Sequence, residues 1–197
     1  MKNMIHSCHQ HSIFDGTSRR SFLKTAMFGL GAAFFVPTFL RANTPIFGHT
    51  ENLLLSCMDY RLVNDIEKYM DGRGLAEEYD HIVLAGASLG ALGEVMVGGE
   101  AKSVWKQTFS EHLTVAKSLH QIHKVIVMDH WDCGAYKATF GDDLYQDEKK
   151  AIQMHSKKLH AISVDIKKQY PELEFEGLLM DLEGKVTQLE GEKHSEK

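Results

Sequence analysis

KVIVMDHWDCGAY, residues 124–136, carries an unbroken apolar run into a histidine and, three residues later, a cysteine. The run from Val125 to Met128 has no polar face, so it reads as a strand covered on both sides. Strands of that kind belong to parallel sheets with helices packed on each face. CGAYKATFG, 133–141, then turns away from the strand end. In such sheets ligand sites lie beyond the carboxyl ends of the strands. His130 and Cys133 therefore stand where chemistry is expected, and the rest of the chain decides what joins them.

Working outward, NLLLSC at 52–57 is a second apolar strand, and HIVLAGAS at 81–88 a third that ends in small residues. FEGLLMDLEGKVTQL at 175–189 reads as a strand, a turn at Glu183-Gly184 and a short return strand. Helical spacing fills the intervals. RLVNDIEKYMDGRG, 61–74, puts Leu62, Ile66, Tyr69 and Met70 on one face and ends at Gly72 and Gly74. A helix over 101–122 carries a stripe of Trp105, Phe109, His112, Leu113, Ala116 and Leu119. Another over 147–169 carries Ile152, His155, Leu159, Ile162 and Ile166, and Pro171 stops it. His155 on that stripe reads as a core or interface histidine rather than a ligand. The glycine-rich segment 89–100 reads mostly as loop. Strands alternating with amphipathic helices give an α/β fold: a central, mostly parallel sheet flanked by helices, closed by a strand-turn-strand.

This fold brings three strand ends to one edge: SCMDYR at 56–61, AGASLG at 85–90 and DHWDCG at 129–134. Gly86, Gly90 and Gly93 do not match a dinucleotide-binding fingerprint. Ser88 lacks the G-x-S-x-G setting of a nucleophile elbow.

Residues 1–42 read as a leader rather than as part of the fold. SRRSFLK at 18–24 is followed by an apolar stretch to Leu40 and by the small Ala42. Basic, apolar and small-residue regions in that order make a secretory signal, and this one resembles the twin-arginine (Tat) signal. The apolar stretch, about 15 residues interrupted by Pro37, is short for a membrane span of ~20. An uncleaved anchor is the alternative. Export through the Tat translocase would place a mature domain, 43–190, in the periplasm or outside the cell, with 191–197 as a disordered tail. HSCHQH at 6–11 looks like a metal tract, but it precedes the arginine pair and leaves with the leader.

The whole chain has 22 basic and 27 acidic residues, net −5. Losing five basic and one acidic residue with the leader leaves 17 and 26, net −9. Nothing in that balance suggests a nucleic-acid partner.

Two cysteines remain after cleavage, Cys57 and Cys133. In an oxidising compartment two cysteines by default make a disulfide. The competing reading is a metal. Cys57, His130 and Cys133 offer two thiolates and an imidazole, which suit tetrahedral zinc. Three protein ligands leave a fourth position open, as catalytic zinc requires. The Tat pathway carries folded proteins, so an ion loaded beforehand would hold both thiolates before any oxidant met them. Asp59 is either a fourth ligand or an acceptor for a hydrogen bond from bound water. Arg61, two residues on, can take the Asp59 carboxylate bidentately and draw it off the metal.

The pattern C-x-D-x-R followed by H-x-x-C, at Cys57, Asp59 and Arg61 and then His130 and Cys133, resembles the β-class carbonic anhydrases. KVIVMDHWDCGAYKA is similar to that family's strand-then-HxDCG segment, and the resemblance covers roughly 52–190. It implies a zinc enzyme, a lyase that interconverts carbon dioxide and bicarbonate through zinc-bound hydroxide, with one Zn(2+) per chain, built as a homodimer or a multiple of dimers. Zinc would be held by Cys57, His130 and Cys133, with Asp59 a possible fourth ligand in a closed state. Asp59 and Arg61 would orient the hydroxide. The chain departs from the family where an arginine-asparagine-alanine-glycine-asparagine run is common, for it has LAGASLG. It also has little room for an N-terminal arm between 43 and 51. The other readings are a zinc hydrolase acting on carbonyl sulfide or carbon disulfide, and a non-catalytic zinc-binding domain.

Overall fold

A computed structural model describes residues 49–191. The leader, its histidine tract, the anchor alternative and all of the tail except Gly191 lie outside the described residues. Gly191 itself closes the last strand, one residue beyond the expected domain end.

The elements are β1 (Asn52–Ser56), α1 (Val63–Gly72), β2 (Tyr79–Val83), α2 (Ser88–Ala91), β3 (Met96–Val97), β4 (Glu100–Ala101), α3 (Val104–Leu119), β5 (Lys124–His130), α4 (Gly134–Phe140), α5 (Glu148–Gln169), β6 (Glu174–Met180) and β7 (Val186–Gly191). Five strands form one sheet in the order β2-β1-β5-β6-β7. β2, β1, β5 and β6 run parallel, and β7 returns antiparallel to β6. The expected α/β architecture and its closing strand-turn-strand are both present.

Alternation along the central strands explains the two-sided core. Leu53 and Leu55 of β1, with Val125 and Val127 of β5, face a layer built with Phe109 and Leu113 of α3 and Leu159, Ile162 and Ile166 of α5. The intervening residues, Leu54, Ile126 and Met128, face Leu62, Ile66 and Met70 at and along α1. Every residue of β1 is buried. Burying each such leucine or isoleucine contributes about 1.5–3 kcal/mol, and a residue-by-residue alternation is what a strand requires to serve both layers.

Four expectations are corrected. β2 covers Tyr79–Val83, not 81–88, and as an edge strand it is only partly covered. Leu84-Ala85-Gly86-Ala87 instead turns into α2, all four of whose residues are buried. The glycine-rich segment 89–100 is not mostly loop. After α2 it makes a β3–β4 hairpin, with Gly98 and Gly99 both at positive φ, 66° and 80°. That is the conformation a two-residue hairpin turn needs. On α3, His112 and Leu119 face outward; His112 donates from Nδ1 to the Thr108 carbonyl at 2.8 Å. On α5 the buried stripe begins at Ala151, and Ile152 is only half-buried.

Candidate metal centre

β1 and β5 are neighbours in register, with Ser56 beside Met128. Cys57 follows β1 and His130 ends β5, so both leave the same edge of the sheet side by side. Cys133 must come back towards them within three residues. Asp132 makes that possible by taking φ 61°, a left-handed conformation that aspartate tolerates better than most side chains. Cys133 then stands in extended conformation as the cap of α4. One ligand atom from each of Cys57, His130 and Cys133 lies within 4.8 Å of the others. The two sulfurs are 4.0 Å apart and not bonded, against about 2.05 Å in a disulfide.

All three are buried: Cys57 is 8% exposed, His130 2% and Cys133 1%. His130 donates from Nδ1 to the Trp131 carbonyl at 2.8 Å. That fixes the tautomer and leaves Nε2 with its lone pair free. Nε2 is buried and has no hydrogen-bond partner among the described residues. A buried imidazole nitrogen with no partner is costly, and it is relieved by an electrophile placed among the sulfurs. The donor set of two sulfurs and one imidazole nitrogen fits zinc.

The thiols respond to their closeness. The Cys133 thiol, donating to Cys57, is the main cause holding the Cys57 pKa below the ordinary thiol range; burial opposes this, and His130 and the Gly86 N–H at 3.3 Å assist it. The same contact, followed by burial, pushes Cys133 up. Burial disfavours an imidazolium at His130, but its contact with Cys57 and the charge there prevail and raise its pKa. A pocket that sets a thiolate beside a buried imidazole is one that a cation satisfies.

Asp59 and Arg61 form the expected pair, on a different backbone. The segment is not extended: Tyr60–Leu62 is a 3-10 turn that Asp59 caps, accepting from the Arg61 N–H at 3.1 Å. The guanidinium meets the carboxylate at both oxygens, Nε to Oδ1 at 2.9 Å and Nη2 to Oδ2 at 2.8 Å. These bonds hold the Asp59 pKa at about 2. Its Oδ2 stands 3.8 Å from His130 Nε2, beside the ligand set.

Sequence reasoning missed what holds Arg61. Its Nη1 donates to Asp132 Oδ2 at 3.0 Å and its Nη2 to the Asp132 carbonyl at 3.1 Å. Lys137 pairs with the other oxygen of Asp132. Lys137 first, and Arg61 second, keep the Asp132 carboxyl below its usual range. The signal was a second aspartate inside DHWDCG, on a turn too tight for most residues. Also missed was Asp129, a buried carboxylate one residue before the end of β5. His155 is fully buried, as a core histidine should be, and it bonds Asp129.

The family model described as "Putative carbonic anhydrase" matches residues 48–190. An uncharacterized protein of Rickettsia bellii (strain RML369-C) is 32% identical over 137 residues, 70% of this chain and 80% of that protein. One of Rickettsia conorii (strain ATCC VR-613 / Malish 7) is 31% identical over 137 residues, 70% of each. Among solved structures, a carbonic anhydrase from Glaciozyma antarctica is similar at 19% identity and TM-score 0.48, over 76% of this chain and 87% of that one. The β-carbonic anhydrase isoform I of Trichomonas vaginalis is similar at 16% identity and TM-score 0.47, over 87% and 93%. With the family model spanning nearly all of the described residues, the chain belongs to the "Putative carbonic anhydrase" family.

Proposed function

We propose that this protein is an exported zinc enzyme that interconverts carbon dioxide and bicarbonate. One observation carries the reading: the ligand atoms of Cys57, His130 and Cys133 converge within 4.8 Å, with His130 Nε2 buried and unpartnered, while the nearby carboxylate of Asp59 is held by Arg61. Cys57, His130 and Cys133 would hold a zinc ion, which would supply the Lewis acidity that makes water a nucleophile near neutral pH.

The chain's own residues supply orientation. Asp59, ionised throughout the neutral range, can only accept hydrogen bonds, so it aligns a reacting water or hydroxyl group by taking its proton-bearing side. Arg61 fixes that carboxylate from both oxygens and is itself fixed by Asp132. The Gly86 N–H steadies the Cys57 sulfur. Carbon dioxide, linear and uncharged, needs only a small opening and no charged anchor.

Export through the Tat translocase, with cleavage after Ala42, follows from the paired Arg19 and Arg20 and the apolar stretch behind them. This places the mature enzyme in the periplasm or outside the cell. Among the described residues no helix is long and apolar enough to cross a membrane. A homodimer, or a multiple of dimers, is supported by four exposed apolar side chains on segments next to the site: Met58, Tyr60, Val63 and Val83 are between 48% and 85% exposed.

The test is to purify the full chain, quantify zinc per chain, and follow carbon dioxide hydration by stopped flow from about pH 6.5 to about 9. About one zinc with fast turnover at neutral pH is expected. One zinc with no hydration at any pH overturns the reading.

A further inference from the structure

Asp129 is an unusual residue for its place. It lies within an apolar strand, is 1% exposed, and stands directly before His130, which ends that strand. A carboxylate removed from water is tolerated only when donors surround it. Here Ser88 N–H donates to Oδ1 at 3.0 Å. The Ser88 hydroxyl at 2.7 Å, the Tyr136 hydroxyl at 2.6 Å and His155 Nδ1 at 3.0 Å all converge on Oδ2. An apolar residue would fill this part of the core without any of them.

We propose that Asp129 is a positioning residue for all three candidate metal ligands, acting through two hydrogen-bonded arms and through its own place in the strand. The proposal rests on the metal-centre reading above and says what holds that centre in shape. The first arm runs to Cys133. His155 gives its Nδ1 proton to Asp129, so Nε2 is the acceptor for the Tyr145 hydroxyl at 3.1 Å. The Tyr145 oxygen in turn accepts the Cys133 N–H at 3.1 Å. The donors all point one way along this arm, which ends on the backbone of a ligand.

The second arm runs to Cys57. Asp129 pins Ser88 by both its amide and its hydroxyl. Two residues earlier, the Gly86 N–H meets the Cys57 sulfur. Between them Ala87 holds φ 39° and ψ −100°, a conformation an alanine keeps only when its neighbours are fixed. Ser88 is the fixed neighbour. The third ligand, His130, is bonded to Asp129 through the chain. One buried carboxylate thus sets the positions of residues that the sequence separates by up to 76 positions.

Partners one layer out from a metal commonly change its affinity 10- to 100-fold. The test uses the full chain loaded with cobalt(II), whose absorption bands report ligand geometry, and measures cobalt affinity by competition with a chelator. Tyr145→Phe keeps the ring and removes only the hydroxyl that joins the first arm. It is expected to shift the cobalt bands and weaken binding by about tenfold or more. Tyr170→Phe removes a hydroxyl that bonds Thr114 and lies on neither arm. It is expected to leave the bands in place and change binding less than about twofold. Equal effects from the two variants, or none from Tyr145→Phe, overturn the proposal. If Tyr145→Phe does not fold, His155→Gln and His155→Leu decide the question: glutamine, with a donor and an acceptor, must lie closer to wild type in both readouts, and equal losses overturn the proposal. Failure of the wild-type chain to bind cobalt is a different result and overturns the metal centre itself.

Discussion

Arg61 holds Asp59 from both ends, Nε on Oδ1 and Nη2 on Oδ2, and its remaining nitrogen holds Asp132 across the turn from β5. The carboxylate is therefore kept in a fixed pose 3.8 Å from His130 Nε2 and does not swing in among the ligands.

Releasing that hold is the sharpest test of the site. Arg61→Ala leaves Asp59 free to move the short distance to the metal position. Zinc per chain is expected to stay near one, while carbon dioxide hydration at pH 7 falls by about a hundredfold or more, the loss expected when a positioning group is removed. Zinc analysis beside stopped flow separates the two quantities. Wild-type turnover in this variant would remove Asp59 and Arg61 from the mechanism.

The pair also has an acid signature. Asp59 titrates at about 2 in the fold against an ordinary 3.8. A lowered carboxylate pKa stabilises the folded state fully above the ordinary value and loses that contribution as pH falls through the folded one. In metal-free protein the gap in urea midpoint between wild type and Asp59→Asn is expected to stay constant from pH 7 to near 4. It should then narrow towards pH 2. A gap that closes between pH 7 and 5 would assign the effect to another group.

Each candidate ligand is expected to be indispensable to metal retention. His130→Ala, Cys57→Ser and Cys133→Ser should each reduce zinc from about one per chain to a small fraction, because three protein ligands leave no redundancy. Elemental analysis after dialysis against a chelator checks this. A variant that keeps full zinc would exclude that residue from the ligand set.

Gly90 offers a test of packing against propensity. Alanine in a helix is favoured over glycine by about 1 kcal/mol, so propensity alone favours Gly90→Ala in α2. Its Cβ, however, would lie 2.5 Å from the Ala85 carbonyl oxygen, and that atom belongs to the backbone. The clash should win, giving a net destabilisation of about 1–3 kcal/mol in urea unfolding. An unchanged or higher midpoint would mean that the turn before α2 has room to move.

The parts of this fold that were legible in the sequence were those with a long enough pattern. β5, Lys124–His130, contains the run Val125–Met128 that was read as a covered strand, because four unbroken apolar residues have no polar face to show to water. The strand-turn-strand at the end is equally plain. β2 was misplaced because Leu84-Ala85-Gly86-Ala87 is as apolar as a strand, although it is a turn that becomes fully buried only at Gly86 and Ala87. Composition reports burial there, not conformation. The β3–β4 hairpin has two residues on each side, too few to show a period, and only its paired glycines announced it.

The three ligand candidates and the Asp59–Arg61 pair stood out because a core needs neither thiols beside a histidine nor ions at a strand end. The hub beneath them did not stand out. Ser88, Tyr136 and His155 come to Asp129 from 41, 7 and 26 positions away, and no local spacing encodes a meeting of that kind.

The return of β7 has a consequence for how the molecule can be attached to anything else. β1 begins at Asn52 beside Lys124 of β5, which lies beside Glu174 of β6. β7, running the other way, finishes at Gly191 opposite Glu176. The described chain therefore enters and leaves at the rim of the sheet farthest from Cys57 and His130. A tether, fusion partner or surface linkage joined just before Asn52 or at Gly191 would take hold of the back of the sheet and leave the rim that carries Cys57 and His130 on the opposite side.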